Sequence, residues 1–319
     1  MPPFEKFQLG KFLSFLIVKT VIYYKKLELG AEIMSIDVLQ ERIRKIKNPT
    51  VVDLTLSASD LPPQFVGAAG YGEFCRELLG ALKGLVPAVR VGYTAFSILG
   101  AEGMTEMRSV LDTAAKMGYY VILDAPAMRS PSMAKSVAEA AFGDDAQWPC
   151  DGLIIDGYLG TDILKPFLPH CKKGKDVFCL VRTSNKSAPE LQDLLTGTRL
   201  VHAAAADLYY RFVGDCMGKF GYSRVAVMAG GNSSQSLQSL RTKYPKLFLL
   251  VDDVDYPGCN AKHCSNAFDQ FGHGSAVCVG PTVTCAWKTA ETDGTDFAAQ
   301  AVAAVERMKK NLTRYIIIM

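Results

Sequence analysis

A single α/β barrel of the (β/α)8 TIM type is the fold this sequence predicts. From residue 50 onward, short β-branched or apolar runs alternate with longer stretches of helical period, and eight such runs occur in the 319 residues. The composition, 49% apolar and 21% charged, is that of a folded soluble chain with a sizeable core. No stretch rich in Pro, Gly or Ser divides it. Parallel strands buried on both faces need helical crossovers, so eight units close one barrel. A doubly wound open sheet is the structural alternative.

The expected strands are Val51 to Leu56, Ala88 to Tyr93, Tyr119 to Asp124, Gly152 to Asp156, Asp176 to Val181, Arg224 to Met228, Leu247 to Val251 and Ser275 to Val279. Between them, patterns such as GMTEMRSVLDTAAKMG and SPSMAKSVAEAAF place apolar residues on one helical face. Met34 opens MSIDVLQERIRKIKNPT, an amphipathic helix start with Ser35 as its N-cap. Asp296 to Lys310 reads as the eighth helix. The domain therefore runs over 34–312, preceded by an extension, 1–33, and followed by an apolar tail, 313–319.

Within the extension, Phe12 to Tyr24 is mostly apolar, yet it is too short to span a bilayer and carries Lys19. Lys25, Lys26, Leu27 and Glu28 follow it where a signal peptide would place small residues. No membrane partner is expected. A net charge of +3 offers no basic field for nucleic acid. Nine cysteines without CxxC pairs favour reduced thiols and a cytoplasmic setting. Cys259, His263, Cys264 and His273 match no common zinc spacing, so buried thiols and surface histidines are expected instead of a metal site. Ser233 and Ser234 lack a GxSxG context, and the Gly-rich AAGYGEF at Ala68 follows no strand, which disfavours a serine hydrolase and a dinucleotide site.

In a barrel, function sits at the C-terminal rim of the strands. The rim here comprises Thr55, Arg90, Asp124, Pro126, Arg129, Asp156, Arg182 to Asn185, Gly230 to Asn232, Asp252 to Asp255 and Gly280 to Thr282.

From Met34 to Lys310 the chain resembles the orotidine 5'-monophosphate decarboxylases of the longer bacterial type. The resemblance is carried by MSIDVLQERIRKIKNPTVV, AFSILGAEGM, GYYVILDA, GYLGTDILKPFL and LVRTSNKSAPELQ, in that order. It implies the same barrel, a homodimer with sites at the subunit interface, and removal of carbon dioxide from orotidylate to give UMP without metal or organic cofactor. That family supplies an Asp after the first strand, a Lys on the second and a DxKxxD motif after the third. Here Thr55 stands at the first position, with Asp53 two residues earlier on the same strand face, and Arg90 stands at the lysine. Of DxKxxD only Asp124 survives, because Pro126 and Arg129 occupy the other two positions.

These exchanges change the chemistry. An arginine stays protonated and cannot cycle a proton as lysine does, and proline has no polar side-chain atom. The Gly-rich phosphate loop of the family is replaced by VDDVDYPGCN, where Asp252, Asp253 and Asp255 would repel a dianion. After the eighth strand, Pro281 and Thr282 stand near the family's phosphate-binding arginine. Thr183, Ser184 and Asn185 retain the TSN motif, whose serine contacts the pyrimidine ring in relatives, and Asp162, Pro166 and Phe167 retain a structural turn.

Ligand contacts are expected from Thr183, Ser184, Asn185, Gly230, Gly231, Asn232, Asp252 and Asp253. Asp124 reads either as a site residue or as a helix cap or ion-pair partner of an arginine such as Arg129, and Arg90 either as a ligand-binding group or as a partner of Asp53 or Asp124. Two functions follow. One is a catalytically impaired family member that binds a small molecule, a pyrimidine nucleotide among the candidates, or another protein. The other is an active decarboxylase or other lyase using a rearranged Arg and Asp site.

Overall fold

The computed structural model describes residues 35–319 other than 253, 255 and 256. The expected extension 1–33, the Met34 start, Asp253 and Asp255 lie outside the described residues. Ser35 caps the first helix, α1 (Ile36–Ile46), its Oγ accepting from the Asp37 amide at 3.2 Å, as the sequence predicts. Helix α1 ends at Lys47, whose left-handed backbone turns the chain into the first strand.

Eight parallel strands form a closed barrel. They are β1 (Thr50–Asp53), β2 (Ala88–Gly92), β3 (Tyr120–Asp124), β4 (Gly152–Asp156), β5 (Asp176–Arg182), β8 (Ser223–Gly230), β9 (Leu247–Asp252) and β10 (Ser275–Val279), joined in the order β1-β10-β9-β8-β5-β4-β3-β2. A small antiparallel ribbon, β6 (Leu195–Thr196) and β7 (Arg199–Leu200), lies outside it. The long crossovers are α2 (Gly67–Leu82), α3 (Gly100–Met117), α4 (Pro131–Phe142), α5 (Val201–Tyr210), α6 (Ser234–Lys243) and, after β10, α8 (Phe297–Thr313). A short helix, α7 (Ala261–Ser265), connects β9 to β10, and a broken helical path from Thr161 to Cys171 connects β4 to β5.

Two expected element ends shift by three residues and the others by at most two. β1 stops at Asp53, before the expected Leu56, because the Asp53 carboxylate accepts from the Thr55 amide at 2.9 Å and turns the chain outward. The last helix starts at Phe297 and continues to Thr313. The 313–319 tail, to which the sequence assigned no role, packs beside α1. Ile316 and Ile318 are buried, and the carbonyls of Ile318 and Met319 accept from Lys47 Nζ and Arg44 Nε at 2.6 and 2.9 Å. Inside the barrel the strands are almost wholly buried, with Phe178 and Phe248 in edge contact at 6.3 Å. No helix among the described residues is long and apolar enough to cross a membrane.

Candidate functional site

Parallel register sets Asp53 on β1 beside Arg90 on β2, and Gly92 beside Asp124 on β3. Their inward side chains meet at the C-terminal mouth. Arg90 Nη1 lies 3.2 Å from Asp53 Oδ2 and 2.7 Å from Asp252 Oδ1, while Nη2 lies 2.5 Å from Asp124 Oδ2. One guanidinium thus faces three carboxylates. Burial opposes its charge, but the three carboxylates outweigh burial and hold Arg90 firmly protonated. Burial in turn pushes the Asp53 carboxyl above its ordinary range, against the pull of Arg90.

A cavity of about 230 Å³ opens above this cluster, lined by Asp53, Thr55, Arg90, Asp252, Cys278, Gly280 and Pro281. No lysine is among its walls. Thr55 leans over Gly92, where an added Cβ would meet its Oγ1 at 2.4 Å. Pro126 and Arg129 are not part of the lining, and Arg129 is exposed. Asp124 pairs with Arg90 and not with Arg129, because β2 and β3 are adjacent and Arg129 is exposed beyond the strand end.

The other predicted residues assemble into a neighbouring corner. Asn232 Nδ2 donates to the Ser184 carbonyl at 2.6 Å, and its Oδ1 accepts from Arg182 at 2.9 Å, which ties the segment after β8 to the segment after β5. Gly230 is backed by Ser184, and a Cβ there would lie 2.5 Å from Ser184 Oγ. That hydroxyl is buried without a hydrogen-bond partner. Thr183 bonds Asn185 and Gln192 through its hydroxyl, so it is occupied internally, whereas Asn185 is exposed. The Gly231 amide donates to the Asp252 carbonyl at 2.8 Å and links this corner to the mouth.

Asp252 corrects the sequence reading. Its carboxylate turns to Arg90 inside the mouth, where the guanidinium neutralises part of its charge. Sequence reasoning also missed two contributors. Cys278 faces the mouth from β10, a position that strand alternation alone could have flagged. Asp193 forms a two-pronged pair with Arg182, Nε to Oδ1 at 3.1 Å and Nη2 to Oδ2 at 3.0 Å, and touches His202 at 3.0 Å. The Arg182 hydrogen bonds hold Asp193 below the usual carboxylate range. Nothing in LQDLL announced that role. No three His, Cys, Asp or Glu side chains among the described residues converge as metal ligands.

No family model matches the chain. It is 33% identical over 215 residues to the orotidine 5'-phosphate decarboxylase of Rhodopirellula baltica, a match covering 66% of this chain and 71% of that protein. The enzyme of the same name from Clostridium novyi is 25% identical over 289 residues, covering 88% of this chain and 99% of the relative. Among solved structures, the OMP decarboxylase of Leishmania donovani superposes with a TM-score of 0.68 at 23% identity, covering 87% of this chain and all of that one, which shows the shared fold. The barrel, the order of its motifs and a third of the residues over most of a curated relative agree: the chain belongs to the orotidine 5'-phosphate decarboxylase family.

Proposed function

We propose that this family member has lost orotidylate decarboxylation and serves as a cytoplasmic, homodimeric protein that binds a small molecule at the barrel mouth. The observation that carries this reading is Arg90, at the family's lysine position, held by Asp53, Asp124 and Asp252. Decarboxylation leaves a carbanion that must be protonated, and a guanidinium held by three carboxylates cannot release a proton. Pro126, at the other lysine position, has no proton to give. Loss of a general acid costs about two to four orders of magnitude in rate, and loss of the fixed electrostatic array costs more. With three carboxylates against one guanidinium, the mouth also disfavours an anion such as a nucleotide phosphate.

The test is an assay of UMP formation from orotidylate together with titration calorimetry of the full chain with UMP and 6-azaUMP. No turnover and no binding at micromolar concentration are expected. Turnover that Arg90→Ala or Asp124→Ala abolishes would show instead that a rearranged site still decarboxylates.

A further inference from the structure

Asn260 caps helix α7, its side chain accepting from the His263 amide at 3.0 Å. Cys259 therefore stands at the position before the cap and Cys264 at the fourth helical position, the two places whose side chains pack together at many helix starts. Here both are thiols, and their sulfurs lie 3.6 Å apart. Cys264 is fully buried and Cys259 is partly exposed. Of the nine cysteines, all but Cys259 and Cys285 are buried. The Cys259 sulfur rests on Gly231, where an added Cβ would lie 2.4 Å from it, and Gly231 in turn is bonded to the Asp252 carbonyl.

We propose that Cys259 and Cys264 form a reversible disulfide under oxidative challenge, clamping the first turn of α7 to the residue before its cap, against Gly231. The oxidant class is a small disulfide such as oxidised glutathione. The accessible Cys259, as thiolate, attacks one glutathione sulfur, forming a mixed disulfide and releasing the first glutathione thiolate. Cys264, which its contact with Cys259 and burial keep as the thiol in the reduced protein, loses its proton as its sulfur attacks Cys259 Sγ and displaces the second. Two protein thiols are oxidised, one glutathione disulfide is reduced, and the two protons end on the released thiols. The sulfurs need to close by about 1.5 Å to reach the bond length of roughly 2.05 Å, a shift within the reach of side-chain rotation. The device is independent of which ligand the mouth takes.

The full chain, reduced and then exposed to oxidised glutathione, is expected to lose two titratable thiols and to regain them with dithiothreitol. Cleavage after Lys262 separates the two cysteines, so tryptic digestion without reductant should give peptides 247–262 and 263–288 joined together. The second peptide also carries Cys278 and Cys285. The link must therefore vanish in Cys264→Ala and in Cys259→Ser, and persist in Cys285→Ser. Cys259→Ser alters the more exposed partner and keeps the test open if Cys264→Ala fails to fold. Backbone hydrogen exchange over 257–266 is expected to slow on oxidation. A stable mixed disulfide at Cys259 with Cys264 still open to alkylation, a link surviving in Cys264→Ala or Cys259→Ser, a link lost in Cys285→Ser, or unchanged exchange would overturn the proposal.

Discussion

Arg90 Nη1 and Asp252 Oδ1 stand 2.7 Å apart across the mouth, joining β2 to β9, which are separated in the barrel wall by β1 and β10. The contact fastens two non-neighbouring strands at the rim, and Asp53 and Asp124 complete its setting. Removing the cation leaves three carboxylates facing one another. Loss of one partner of a fully buried pair costs about 3–5 kcal/mol, and the partial exposure of Asp124 at 35% lowers that through solvent screening. Arg90→Met is expected to reduce unfolding free energy by roughly 1–3 kcal/mol, with part restored by adding Asp53→Asn. Urea denaturation of both variants measures this, and equal stability of Arg90→Met and the parent would show the cluster to be energetically idle.

Gly92 is required by the close approach of Thr55. A methyl at position 92 would meet Thr55 Oγ1 at 2.4 Å and Cβ at 3.1 Å. Gly92→Ala should destabilise by about 1–3 kcal/mol, the usual cost of overpacking. Thr55→Ala removes the hydroxyl and methyl that clash, so the double variant should be more stable than the sum of the single effects predicts. Additive effects in a double-mutant cycle would mean that the two residues do not share the space.

The tail is a structural part of the domain. Ile316 and Ile318 bury their side chains, and the Met319 amide donates to the Phe271 carbonyl at 3.1 Å. Gly272, at φ +72°, admits the tail, since a Cβ there would lie 2.3 Å from the Ile317 carbonyl oxygen. Each buried isoleucine contributes about 1.5–3 kcal/mol as an upper bound. Truncation after Thr313 should therefore lower stability by roughly 2–4 kcal/mol, visible as an earlier urea midpoint. A midpoint unchanged by the truncation would contradict this packing.

The barrel was legible because its signal repeats: eight apolar runs of strand length, each returned by a helical stretch, leave few other closures. Strand ends were less legible, since β1 stops where the Asp53 side chain captures the Thr55 amide, a single local bond that periodicity does not register. At the site, motif spacing located Arg90, Asp124 and the TSN and GGN segments. It could not foresee that Asp252 turns inward to Arg90, because that contact depends on barrel closure bringing together residues 162 positions apart. The same limit hid the pairing of Asp193 with Arg182.

At the opposite end of the barrel, Asp176 at the start of β5 is completely buried and accepts from the Tyr120 hydroxyl at 2.6 Å, while its Oδ1 has no hydrogen-bond partner. Burial raises its pKa well above the ordinary 3.8, assisted by the nearby Asp151 and opposed by the Tyr120 hydrogen bond and by Arg224. The folded state therefore holds a proton that the unfolded chain has lost, and stability falls as pH rises from 3.8 toward the folded value. Asp176→Asn keeps the size and the acceptor for Tyr120 but cannot titrate. Asp53 and Asp151 are raised by burial as well, so some decline with pH persists in the variant. Urea melts from pH 4 to 8 are expected to show a shallower loss of stability in Asp176→Asn than in the parent. Parallel curves would mean that the Asp176 carboxyl is ionised throughout that range, with Arg224 dominating its burial.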